Sequence, residues 1–252
     1  MKTCLKNICL ILSLILVTMC QGFLRRGPQH PKTNAFLAEL GKKPYDEKVL
    51  QTYLEEGVSV NSVGSGNFSA LMLAIRDGND NAAKFLVKNG ANVNAFNMGG
   101  QGALGIASLN KNSDMFIYLI ENKAKIEKVD LTGNSALHLA ASEQMMPAIK
   151  YLIEKKKVDV NAQGFAKKTP LHMASDKLIK ALKNNWGKEI TESHEIVNYL
   201  LANGADCTIK DNSEKTPIDY ANAALKSIKD EKNRAKLEAL IGTCKKNHSS
   251  HN

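Results

Sequence analysis

The side chains in this chain best equipped for chemistry are its histidines, its glycine clusters and its cysteines. His138 and His172 each follow a leucine in a recurring phrase, Leu137-His138 and Leu171-His172. An imidazole working as acid or base needs a partnered group within about 3 Å of the proton it moves. Neither histidine has a recognisable nucleophile or carboxylate pair set around it. Gly64-Ser65-Gly66 and Gly99-Gly100-Gln101-Gly102 are rich in glycine, but neither follows a strand or has the spacing of a phosphate loop. Glycine's ordinary use, a positive φ in a tight turn, accounts for both. His248 and His251 near the end of the chain are two ligands short of a metal site. No catalytic residue, cofactor or metal is predicted, and the chain is not read as an enzyme.

Cysteine usage points to a compartment. Three of the five cysteines fall in the first twenty residues, leaving Cys207 and Cys244. Those twenty residues begin with Lys2 and Lys6 and continue as an apolar run from Ile8 to Met19. A bilayer span needs roughly 20 apolar residues, so this run is too short. A charged start, a short apolar centre and a small-residue exit describe a secretory signal peptide, residues 1–20. Cleavage after Cys20 gives a soluble, exported and most simply periplasmic product. The alternatives are a lipid anchor on Cys20, the one route to a membrane, and secretion. Cys207 and Cys244 form an even pair, the candidate disulfide of an oxidising compartment, with two free thiols the other reading. Loss of Lys2 and Lys6 lowers the formal charge from +9 to +7.

The elements that carry these residues repeat. Ser69-Ala70-Leu71-Met72-Leu73-Ala74 returns as Gly102-Ala103-Leu104-Gly105-Ile106-Ala107 and as Ser135-Ala136-Leu137-His138-Leu139-Ala140. It appears again as Thr169-Pro170-Leu171-His172-Met173-Ala174 and as Thr216-Pro217-Ile218-Asp219-Tyr220-Ala221. The anchor moves from 71 to 104, 137, 171 and 218, in steps of 33, 33, 34 and 47. A fixed period near 33 marks a stacked array. The Ser or Thr that opens all but the second phrase suits a helix start, and Pro170 and Pro217 suit a first helical turn. A second apolar stretch follows (Phe85-Leu86-Val87, Tyr118-Leu119-Ile120, Tyr151-Leu152-Ile153, Tyr199-Leu200-Leu201), and glycines such as Gly90 and Gly204 close it.

The phrases Thr169-Pro170-Leu171-His172 and Gly90-Ala91-Asn92-Val93-Asn94 closely resemble the ankyrin repeat, over roughly residues 63–241. The resemblance implies an all-α ankyrin-repeat solenoid, made of helix–loop–helix repeats with β-hairpin loops. It implies that His138 and His172 link adjacent loops by hydrogen bonds. Gly105 and Met72 replace that histidine elsewhere, and Lys123 and Lys156 replace the loop glycine. The organisation expected is a signal peptide (1–20), a flexible segment (21–32) and a divergent capping repeat (33–62). About five repeats follow (63–242), with an insertion near 177–193, and then a flexible tail (243–252). One repeat cannot bury both sides of its helices, so Leu71, Leu104, Leu137 and Leu171 are expected to form a ladder through the core.

An array of this kind resembles a protein-binding module, and surface residues show where binding is expected. Met98, Leu131 and Phe165 fall at successive hairpin tips, and Leu109 projects from a first helix. Contiguous exposed apolar residues mark interfaces. Ten lysines against three acids lie between Lys150 and Lys188, among them Lys155, Lys156, Lys157, Lys167 and Lys168. Export and sparse aromatics argue against nucleic acid; an acidic protein partner or a solvated face remains. Trp186, the only tryptophan, falls in the insertion, either packing it or anchoring a partner. Some exported bacterial proteins that this chain resembles mask a toxic enzyme of their own cell. The sharpest expectation is therefore an inhibitor of a secreted hydrolase, such as one acting on cell wall. The alternative is a secreted effector or surface adhesin that engages a foreign host protein.

Overall fold

A computed structural model describes residues 29–249 apart from Lys43 and Lys128. The expected signal peptide, Cys20, residues 21–28 of the 21–32 segment and His251 lie outside the described residues. What is described is a row of helix pairs. α1 (Thr33–Glu39) and α2 (Glu47–Glu55) form the first. α3 (Ala70–Arg76) and α4 (Asp80–Lys88) follow, then α5 (Ala103–Leu109) and α6 (Ser113–Glu121). α7 (Ala136–Ser142) pairs with α8 (Met146–Lys150), and α9 (Pro170–Asn184) with α10 (Gly187–Ala202). α11 (Pro217–Leu225) and α12 (Glu231–Ser249) end the row. α12 continues into the stretch read as a tail. The described residues contain no β-strand, only isolated antiparallel bridges at Val63–Ser69 and Phe96–Gly102 within loops.

Several helices start where a side chain can accept an orphan amide. Ser69 Oγ accepts from Met72 N at 3.2 Å, and Asn112 Oδ1 from Met115 N at 2.9 Å. The second helices of the first, second and fifth pairs run into Gly57, Gly90 and Gly204, all with φ near +90°. Between pairs, Leu71, Leu104, Leu137 and Leu171 are all buried, with Ala74, Ala107, Ala140 and Ala174 letting the helices approach. Loop asparagines tie one repeat to the next. Asn61 Oδ1 accepts from Asn92 N at 2.7 Å, Asn94 Oδ1 from Lys125 N at 2.8 Å, and Asn161 Oδ1 from Asp206 N at 2.8 Å.

Two irregular steps in the period have structural counterparts. The step of 34 is absorbed by a π-turn, Tyr151–Lys155, which continues α8, with Lys156 N bonding back to Tyr151 O. One more residue per turn shifts the loop, so Lys157, not Lys156, takes the left-handed position (φ 54°) that glycine holds elsewhere. The insertion is neither a loop nor an extra helix. α9 has 15 residues where α3, α5 and α7 have seven, and α10 has 16 where α4 and α6 have nine. Both helices of one repeat are simply about two turns longer. Among the described residues no helix is long and apolar enough to cross a membrane.

Candidate protein-binding surface

The hairpin tips are held by their own side chains. At the second hairpin Asn97 Oδ1 accepts from Gly99 N (2.9 Å) and Gln101 N (3.0 Å). At the third, Asp130 Oδ1 accepts from Thr132 N and Asn134 N, both at 3.0 Å. At the fifth, Asp211 Oδ1 takes Ser213 N (2.7 Å) and Lys215 N (3.2 Å). An Asn or Asp at this position makes the turn without help from neighbours. Adjacent tips are then joined. Met98 N donates to Gly66 O at 2.8 Å, Phe165 N to Asn134 Oδ1 at 3.0 Å, and Asn212 N to Ala166 O at 2.8 Å.

On this edge the side chains at equivalent positions are Ser65, Met98, Leu131, Phe165 and Asn212. The three in the middle are apolar and exposed, at 73%, 75% and 58%. The two at the ends are polar, which gives the row an apolar centre and a polar rim, the common anatomy of a binding surface. Leu109 is exposed at the end of α5. Phe96, beside Met98, is also partly exposed. The sequence reading did not single it out, although its two-residue spacing from Met98 on a hairpin arm offered the signal.

The lysines divide differently from the expectation. Lys167 sits at the fourth tip and is exposed. Lys155, Lys156 and Lys157 are exposed but belong to the row of second helices, where Lys156 Nζ lies 5.7 Å from the Tyr151 ring centre. That row carries its own ladder. Tyr151 Oη reaches Glu121 at 3.5 Å and Tyr199 Oη donates to Glu154 at 2.7 Å. Lys168 is engaged within the chain: Nζ lies 2.6 Å from Asp176 Oδ2 and 5.1 Å from the Tyr220 ring centre. Trp186, at 47% exposure, precedes α10 at its N-terminal boundary.

The two histidines are buried and face inward. His138 Nδ1 accepts from Ser135 N at 3.1 Å, so Nε2 carries the proton and donates to Lys168 O at 2.9 Å in the next repeat. His172 does the same, Nδ1 accepting from Thr169 N (3.1 Å) and Nε2 donating to Lys215 O (3.2 Å). Burial pushes both imidazoles below their ordinary pKa, opposed by these carbonyl bonds. They are rivets between repeats. In the last repeat, Asp219 takes the histidine's place and makes the same local bonds, Oδ2 accepting from Thr216 N at 2.8 Å. Cys207 and Cys244 are bonded in the structure, with Cα atoms 5.9 Å apart. Cys244 lies within α12. Among the described residues no cluster of His, Cys, Asp or Glu could hold a metal ion.

Comparison with known proteins settles what the loop rivets and the period imply. A family model described as ankyrin repeats (3 copies) matches residues 40–130 and 104–211. The chain belongs to the ankyrin-repeat family. The crystal structure of EF0377, an ankyrin repeat protein, has a TM-score of 0.67 to this chain at 24% identity, over 84% of this chain and 98% of that one. No curated protein matches the chain. An ankyrin array is a protein-interaction scaffold, generally non-enzymatic.

Proposed function

We propose that this ankyrin protein is an exported, stoichiometric inhibitor that masks a secreted hydrolase of its own cell, such as one acting on cell wall. The observation that carries the reading is the rigid hairpin edge, with Met98, Leu131 and Phe165 exposed between the polar tips Ser65 and Asn212. Rigid presentation lowers the ordering cost of association, which suits tight, permanent masking. The signal-like residues 1–20 supply the compartment, and the surplus lysines between 150 and 188 would steer an acidic enzyme toward the edge. The test is capture of partners from the envelope fraction of the native cell, with Phe165→Ala as control. The expected result is one secreted hydrolase, inhibited at one-to-one stoichiometry by the wild type and poorly by the variant. Recovery of the protein in the medium bound to a host protein would replace this reading with that of an effector or adhesin.

A further inference from the structure

The two lengthened helices leave an overhang. Eight extra residues at about 1.5 Å each carry the turn between α9 and α10 about 12 Å beyond those of its neighbours. These turns are built alike. Their left-handed residues are Gly78, Lys111, Gln144 and Asn185. Each amide bonds three residues back, to Ile75, Ser108, Ala141 and Leu182 respectively. The projecting ends of α9 and α10 therefore stand over the turns of the two preceding repeats. Beneath them lies a groove of about 310 Å³ lined by Lys111, Gln144, Lys177, Lys180, Trp186 and Glu189. Two other cavities, of about 10 and 20 Å³, are hardly more than the space of one water.

The lining is asymmetric in charge. Lys111, Lys177 and Lys180 face one carboxylate, Glu189. Lys177 also has Glu143 at 3.9 Å, whereas Lys111 and Lys180 have no acidic partner within 4.0 Å among the described residues. Gln144 is held as a neutral wall, its Nε2 donating to Ser193 Oγ and to Glu189 O. Lys111 and Gln144 occupy backbone positions where Gly78 shows that glycine suffices, so side chains stand at the groove despite an unfavourable φ. Trp186 contributes a half-exposed indole, a frequent anchor in interfaces.

We infer that the overhang is a second binding groove that takes an extended acidic segment of a protein partner, with carboxylates against Lys111 and Lys180 and apolar side chains against Trp186. The inference rests on the protein-binding reading but uses a surface other than the hairpin edge. The volume is at the small end for ligand pockets, which suits a few side chains and not a folded face. Ammonium groups on flexible stems accept carboxylates without fixing one geometry.

Trp186 is the only tryptophan, so its emission reports on this groove alone. The purified protein would be titrated with hexaglutamate, with hexaglutamine as neutral control and tripolyphosphate as phosphate control. Hexaglutamate is expected to change the emission saturably, more weakly as salt rises, while hexaglutamine has no effect. Lys180→Gln and Lys111→Asn should each weaken hexaglutamate by about fivefold, with unchanged melting curves. No saturable change, or wild-type affinity retained in both variants, overturns the inference. Tighter binding of tripolyphosphate than of hexaglutamate overturns the assignment to an acidic peptide. Phe165→Ala should leave this titration intact, so failure of the groove and failure of the hairpin-edge reading are separately visible.

Discussion

Leu131 at the third hairpin tip lies directly against Gly100 at the second: a Cβ on Gly100 would stand 2.5 Å from Leu131 Cδ1 and 3.0 Å from its Cβ. This contact, with no hydrogen bond involved, joins the second and third tips of the edge. Gly100 (φ 74°) and Gly90 (φ 85°) are both left-handed, but nothing lies within 4 Å of a Cβ on Gly90. Gly90→Ala should therefore cost about 1–2 kcal/mol from backbone strain alone. Gly100→Ala should cost a further 1–3 kcal/mol or so from overpacking, and should displace Leu131. Denaturant melts of the two variants decide this; equal losses would mean that the tips do not touch.

The edge and the core should respond in opposite ways. Leu137 is buried, so Leu137→Ala should cost about 2–5 kcal/mol of stability. Phe165→Ala should leave the melting temperature nearly unchanged and weaken partner binding by about 1–3 kcal/mol. A large fall in melting temperature for Phe165→Ala, with affinity unchanged, would place that ring in the core.

Replacing Lys155, Lys156 and Lys157 together by Gln tests steering. These side chains lie away from the tip row, so the triple variant should associate more slowly and dissociate at the wild-type rate. The difference should vanish as salt screens the charges over about 8–10 Å. Faster dissociation that persists at high salt would make them direct contacts.

The histidine rivets make stability depend on pH. An imidazole held below its ordinary value of about 6.5 binds fewer protons folded than unfolded. The contribution of His138 and His172 is therefore complete above about pH 6.5 and is lost as pH falls from there through their folded values. His194, lowered by burial and then by Lys236, adds to the same window. Carboxylates act lower down. Burial raises Asp130, but hydrogen bonds from Thr132 and Asn134 outweigh it and leave its pKa below the ordinary value. Melting temperatures should fall from about pH 7.5 to about pH 5, and the slope should flatten in the double variant His138→Ala/His172→Ala. An unchanged slope would show that other groups carry it.

Cys207 and Cys244 close a loop with a sequence separation of 37. A bridge of that span should stabilise by about 3–4 kcal/mol, so reduction, or Cys207→Ser, should lower the melting temperature and loosen α12 first. Mass spectrometry of the non-reduced protein checks the bond itself, and two alkylated thiols would remove it.

The sequence by itself determined the period, and with it the fold. Leucine and alanine recurring every 33 residues fix which face of each helix is buried, because a repeat finds the rest of its core only in its neighbours. It also placed Met98, Leu131 and Phe165 at tips, since alignment within a repeat conveys position without any coordinates. Tertiary structure decided what periodicity does not encode. The fourteen-residue excess could have been a loop, a third helix or two longer helices, and only packing of Leu178, Ile190 and Val197 against neighbours selects the last. Lys168 looked like its neighbour Lys167 in the chain. Its ion pair with Asp176 forms only when the hairpin folds back beside α9, and its place over Tyr220, 52 residues away, exists only once two repeats are stacked. The overhang groove is of the same kind. Lys111, Gln144 and Lys180 come from three repeats, and their meeting depends on a helix length that has no reading except beside shorter ones.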